Sequence, residues 1–187
     1  MAKTALGIVL MMALMIQAGL ADTYKVDPVH SSIVFRIGHL MVSNVTGRFN
    51  GATGTVEYDP AAPEKTSFDV KVASKDVDTA NTTRDTHLRS ADFFDVEKYP
   101  TIRFKSNNVK SAGEDTFEVT GDLTLHGVTK PITITLKHTG TGADAQGVAR
   151  SGFATEFTIN RTDYGMKSSM GVADEVKLMV TLEVAKQ

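Results

Sequence analysis
Five histidines are the first candidates for chemistry: His30, His39, His87, His126 and His138. None stands at the HxH or HxxxH spacing that sets two imidazoles on one face of a strand or helix. A zinc site would need three of them to converge from remote strands with a carboxylate's help, so no metal is expected. The chain has no cysteine, which removes thiolate ligands, cysteine nucleophiles and disulfides. Ser31 and Ser32 follow His30 but sit in no GxSxG elbow. Glycine-rich phosphate loops are absent. No catalytic residue is therefore assigned.

The densest polar cluster is Arg84-Asp85-Thr86-His87-Leu88-Arg89. On a helix Asp85 and Arg89 are four residues apart, and such a pair stabilises by about 0.2–0.5 kcal/mol. The same stretch could instead turn Arg84, His87 and Arg89 towards an anionic head group, which guanidinium binds through two parallel hydrogen bonds. His39 is a further candidate for head-group contact. It opens a second unusual feature, the apolar run Leu40-Met41-Val42 before Ser43. Strand-connecting loops are normally polar, so this run reads either as a lid over a cavity or as a plug in a core. Met166 and Met170, near Gly165 and Gly171, make a second soft apolar loop. Methionine adapts to varied apolar surfaces.

The elements that must position these residues are strands. Apolar and polar residues alternate with period two, as in half-buried strands. Ile33, Phe35 and Ile37 share one face, as do Phe68, Val70 and Val72. Ile102 with Phe104, the run from Phe117 to Leu125, and Ile132, Ile134 and Leu136 repeat the pattern. Phe153, Phe157 and Ile159 form another face, and Val176 to Val184 the last. Tyr24 to Val26 and Thr55 to Tyr58 are weaker runs. Turn signals separate them at Asp59-Pro60, Ala112 to Asp115, Gly127 and Gly140 to Gly147. Short spacings make antiparallel neighbours. The stretch from Asn81 to Arg89 breaks the alternation and predicts one short helical connection, with a second turn from Ser90 that Tyr99-Pro100 stops. One all-β domain follows, either a closed barrel or a two-sheet sandwich.

Residues 1–21 stand apart. Lys3 precedes an uninterrupted apolar run from Leu6 to Ile16, and Gly19 and Ala21 are small residues suited to a cleavage site. This predicts a signal peptide cleaved between Ala21 and Asp22, an exported protein, and a domain over residues 22–187. The run is too short to span a bilayer, which takes roughly 20 residues, so no stable membrane insertion is expected. A net charge of −2 gives no basic excess for nucleic acid.

Several strings together resemble the YceI-like periplasmic lipid-binding proteins. They are Ser32-Ile33-Val34-Phe35-Arg36-Ile37-Gly38-His39-Leu40, Gly47-Arg48-Phe49, Arg84 to Phe94, Tyr99-Pro100, Gly121 to Pro131 and Asn160 to Gly165. The resemblance implies an eight-stranded antiparallel lipocalin-like barrel with one short helical connection, enclosing an apolar tunnel. It implies no catalytic residue and no cofactor, but a bound amphiphile: a polyisoprenoid, an isoprenoid quinone or a fatty amide. Since several members are dimers, it leaves a homodimer open. Some members carry aromatic residues after the His-Leu pair, where this chain has Met41, Val42 and Asn44. The tunnel wall is then expected from Ile33, Phe35, Ile37, Leu40, Met41, Val45 and Phe49. Further along the chain it is expected from Phe93, Phe94, Phe104, Phe153, Phe157, Ile159, Met166 and Met170. A periplasmic carrier is the function this implies. The alternatives are an enzyme acting on a lipid-like substrate and a stress protein acting through its surface.

Overall fold
The computed structural model describes residues 21–59 and 62–187. The expected signal peptide lies outside these residues but for Ala21. The described residues form eleven strands and one α-helix: β1 (Asp22–Val26), β2 (Ser32–His39), β3 (Ser43–Phe49), β4 (Thr53–Tyr58), β5 (Ser67–Ala73), β6 (Val77–Asp78), α1 (Thr82–Arg89), β7 (Thr101–Gly113), β8 (Thr116–Leu125), β9 (Val128–Ala143), β10 (Ala149–Asn160) and β11 (Val172–Lys186). Every pairing is antiparallel, and β1 bonds to both β4 and β11, which closes the sheet on itself.

Eleven segments fill eight positions of the barrel. β1 and β2 lie end to end along β11, with Val26 opposite Val184 and Ser32 opposite Thr181. β3 and β4 continue one another beside them, and β5 and β6 do the same on the next position. Each interruption has a local cause. Between β1 and β2, Pro28 offers no amide for the ladder, and Asp27 Oδ1 instead accepts from the amides of Val29 and His30. Between β3 and β4, Gly51 takes a left-handed backbone with φ +70°. Between β5 and β6, Ser74–Asp76 forms one 3₁₀ turn. The five remaining strands run uninterrupted in the wall, and β9 extends through Gly140 and Gly142 to Ala143, where glycine suggested a turn.

β6 is only two residues long, and β7 pairs with β5 but not with β6. The chain leaves the sheet there and forms α1. Asn81 caps it, its side-chain oxygen accepting from the Arg84 amide at 3.0 Å. The helix carries one large apolar side chain, Leu88, which packs on the core. Within the main core, an aromatic group fills the end of the barrel remote from α1. There Phe153 is fully buried among Tyr58 and Phe68, with ring centroids 5.3 Å apart in edge-to-face pairs. A smaller cluster of Leu123, Leu125, Tyr164 and Met166 packs beside the other end.

An apolar channel with a basic rim
The inward faces of the strands do not meet. They enclose a cavity of about 620 Å³. Strand geometry sets its shape. On β10 the lining residues run Phe153, Thr155, Phe157, Ile159, every second residue as the pleat requires. From β11 the same alternation supplies Val176, Leu178, Val180 and Leu182, and from β8 Val119, Leu123 and Leu125. β2 and β3 supply Ile33, Phe35, Ile37, Val45 and Phe49, β7 supplies Phe104, and the segment after α1 supplies Phe93 and Phe94. Met166 closes the wall from the loop after β10. The result is a long channel, blocked at one end by the aromatic cluster and open beside α1.

Ionisable residues bordering the channel are His39, Lys71, Arg84, His87 and Arg161, of which Lys71 is exposed on the outer face between the inward Val70 and Val72, and among the described residues no aspartate or glutamate borders it. In a chain of net charge −2, that one-signed selection favours an anionic group at the mouth. Arg84 is held there by Thr79: its Nε donates to Thr79 Oγ1 at 2.7 Å and its Nη2 to the Thr79 carbonyl at 2.9 Å. Thr79 Oγ1 in turn donates to Asp85 Oδ1 at 2.5 Å. His87 stands exposed with Nε2 3.3 Å from Asp92.

Arg161 is 3% exposed. Its guanidinium donates to the carbonyls of Lys167 (2.6 Å), Ala173 (3.0 Å) and Val172 (3.4 Å) and pairs with Asp174 at 3.0 Å. It thereby ties the loop carrying Met166 and Met170 to the barrel. Sequence reading passed over Arg161 and Lys71. The signal available was an arginine at the end of an alternating apolar strand, within the Asn160 to Gly165 string.

Several expected site residues lie elsewhere. Leu40, Met41 and Met170 do not line the channel; they are 57%, 102% and 101% exposed. Leu40 to Val42 are the tip of the β2–β3 hairpin, closed by a hydrogen bond from the Val42 amide to the His39 carbonyl. A hairpin tip points away from the sheet it connects, so the run is neither lid nor plug. Arg89 does not face the channel either. It donates to the carbonyls of Lys75 (2.6 Å) and Val77 (2.7 Å). Nor does it pair with Asp85, which is buried and accepts from the Thr79 amide and hydroxyl. Both groups are spent on holding α1 to β6.

Two other polar groupings bear on chemistry. His138 lies between Asp115 (Nδ1 to Oδ1, 3.2 Å) and Ser151 (Nε2 to Oγ, 3.0 Å), the order of groups in a serine hydrolase. Ser151 is 2% exposed, and neither it nor His138 borders the apolar channel. The arrangement satisfies polar groups behind Phe153 and Tyr58. Asp27, His30 and Glu183 could converge on one cation, but Arg150 occupies that role, donating to Asp27 at 2.6 Å and Glu183 at 3.0 Å.

A family model described as the YceI-like domain matches residues 24–184. Protein YceI of Escherichia coli O6:H1 is 41% identical over 192 aligned positions that span all of both chains. A crystal structure of a Campylobacter jejuni YCEI protein superposes with a TM-score of 0.72 at 31% identity, covering 80% of this chain and 89% of the other. A polyisoprenoid-binding domain from Saccharophagus degradans shares the fold, with a TM-score of 0.72 at 18% identity over 90% of this chain and all of that one.

Proposed function
This chain belongs to the YceI-like family, and from that membership and its interior we propose that it binds a long apolar molecule with an anionic end and carries it outside the cytoplasm. The observation that carries the reading is the channel: apolar walls over its length, with ionisable groups of basic type only. Such a space takes up hydrocarbon at roughly 0.8 kcal/mol per CH₂, enough for useful affinity after association costs of several kcal/mol. A polyisoprenoid chain is the ligand class we favour, as in the name of the Saccharophagus domain, and a polyprenyl phosphate satisfies both channel and rim.

Export rests on residues 1–21, where Lys3, the apolar run and the small residues form a cleavable leader. Strand β1 opens at Asp22, immediately after the proposed cleavage point. The test is native mass spectrometry of the protein purified without harsh detergent, followed by extraction and mass measurement of what it carries. A co-purified polyprenyl species and an N-terminus at Asp22 are expected. A delipidated protein that fails to take up polyprenyl phosphate in titration overturns the binding reading, and an N-terminus at Met1 overturns export.

A further inference from the structure
We propose that the two loops at the channel mouth form a membrane-docking face, through which the tips Leu40–Val42 and Met170 enter the interface of an anionic bilayer. Six large hydrophobic side chains are exposed among the described residues, and four of them are on these two tips: Leu40, Met41, Val42 and Met170. The other two are Val29 and Val148, outside both loops. Single exposed hydrophobics are ordinary, but a cluster marks a contact surface.

The tips are built as one unit. The Leu40 amide donates to the Gly171 carbonyl at 2.7 Å. A methyl group placed on Gly171 would come within 2.6 Å of Leu40 Cδ2, so the leucine side chain lies over the second loop. Arg161 anchors that loop from within through the Lys167, Val172 and Ala173 carbonyls. Leu40 and Met41 hold left-handed backbone, φ +52° and +58°, as the two central residues of the turn closed by the Val42 amide on the His39 carbonyl, positions where asparagine and glycine are the favoured occupants. Large apolar side chains stand there against local preference.

Charge selects the partner. Residues 38–46 and 165–173 contain no aspartate or glutamate and carry His39 and Lys167; of the acids that follow, Asp174 and Glu175, Asp174 is paired with Arg161 at 3.0 Å. Apolar tips with flanking basic groups match the acyl boundary and phosphate layer of an anionic leaflet. Position gives the contact its use. His39 and Ser43, which flank one tip, and Ser169, which precedes Met170 in the other, line the channel mouth. Docked on its tips, the barrel opens onto hydrocarbon, and a lipid chain passes in without crossing water. The face stands whether or not the channel holds a polyisoprenoid, because vesicle binding is read without ligand and ligand uptake is read without vesicles.

The chain contains no tryptophan, so Met41→Trp introduces a single reporter. The exported protein carrying it, with its mass measured, is mixed with phosphatidylethanolamine–phosphatidylglycerol vesicles and, separately, with phosphatidylcholine vesicles. Expected are a blue shift with the anionic vesicles and quenching by brominated acyl chains. Adding Met170→Glu should lower vesicle partitioning by about 10-fold or more while uptake of a fluorescent polyprenyl probe from ethanol stock is kept. Co-sedimentation of the unsubstituted protein with the same vesicles supplies the check that needs no variant. Unchanged emission together with no co-sedimentation overturns the proposal. So does equal partitioning with and without Met170→Glu. A blue shift that grows with protein concentration in the absence of vesicles would assign the face to a second copy of the chain and overturn it as well.

Discussion
Phe157 separates a channel from a solid core. It is half-buried on β10, lines the cavity, and packs against the buried residues of both hydrophobic clusters. A phenylalanine in a close-packed interior costs roughly 3–5 kcal/mol when cut to alanine. Here one side of the ring already faces open volume, so Phe157→Ala should cost less than that and shift preference to longer or bulkier ligands. Phe157→Asp should abolish probe binding, because an unpaired carboxylate beside hydrocarbon is strongly disfavoured. Denaturant unfolding of the delipidated variants with probe titration checks both, and a full core penalty with normal binding would place Phe157 in packed interior. At the rim, Arg84→Gln should weaken a polyprenyl phosphate by about 10–100-fold, the worth of a charge-assisted hydrogen bond, and a neutral quinone much less. Equal losses for both would reduce Arg84 to its clamp on Thr79. The cluster around Asp27 makes a prediction about pH. Hydrogen bonds from His30 and Arg150 hold the Asp27 carboxyl well below the usual carboxylate range, and the Asp27 partner raises the exposed His30 above the ordinary imidazole value. A lowered carboxyl adds stability that is present above about pH 4 and lost as pH falls. A raised imidazole adds stability that is present below about pH 6.5 and lost as pH rises through its folded value. Both therefore act between about pH 4 and 6.5. Unfolding midpoints across pH should show an alkaline decline that His30→Gln flattens; an identical decline in the variant would remove His30 from the account.

Among the elements, β3 is packed tightly at Gly47. A methyl group on Gly47 would meet Phe35 Cζ at 2.4 Å and Thr79 Cγ2 at 2.7 Å. Gly47 lies opposite Phe35 in the β2–β3 pairing, and the absent side chain is what lets the Phe35 ring lie flat along the wall. Gly47→Ala should cost about 1–3 kcal/mol, as over-packing does, and should narrow the channel by turning Phe35 into it. Unfolding and probe titration together check this, and a variant with unchanged stability and affinity would show that the ring moves freely. The same strand shows what period two could and could not convey. The long faces from Phe117 to Leu125 and from Val176 to Leu182 are legible because burial on one side of a pleat imposes alternation directly. β3, with Ser43, Asn44, Thr46 and Arg48 among its seven residues, alternates too weakly to be read from composition, and β6 is too short to carry a period. The direction of the hairpin tip at Leu40–Val42 is not legible for a related reason. Composition records that the run is apolar, whereas its direction depends on the pairing of His39 with Ser43, a fact of register. The role of Arg89 is not legible in the sequence because its partners are backbone carbonyls, which no side-chain spacing records.

For the whole molecule, the alternation left barrel and sandwich open, and the double pairing of β1 decides between them. With β4 on one edge and β11 on the other, the sheet closes into a ring that is unpaired beside α1, where β7 does not bond to β6, and the inward apolar faces must enclose a volume or fill it. They do both: the aromatic end fills, and the end beside α1 encloses. This division predicts how ligand and stability are coupled. The filled end sets the stability of the delipidated barrel, so removing lipid should leave a folded protein. Channel walls contribute fully only when hydrocarbon lies against them, and a ligand that binds the folded chain alone stabilises it by RT ln(1 + [L]/Kd), about 2.7 kcal/mol at 100 times Kd. For a domain of this size each kcal/mol moves the melting temperature by about 2–4 °C, so polyprenyl phosphate at that concentration should raise it by about 5–10 °C. Phe157→Asp, which closes the channel to hydrocarbon while leaving the Tyr58, Phe68 and Phe153 rings in place, should melt at one temperature with or without lipid. Scanning calorimetry of delipidated and reloaded protein makes the comparison. If both forms of the unsubstituted protein melt together, the molecule does not use its channel for this ligand. If the delipidated form is unfolded, the aromatic end does not hold the barrel by itself, and the division between a filled and an enclosing half is wrong.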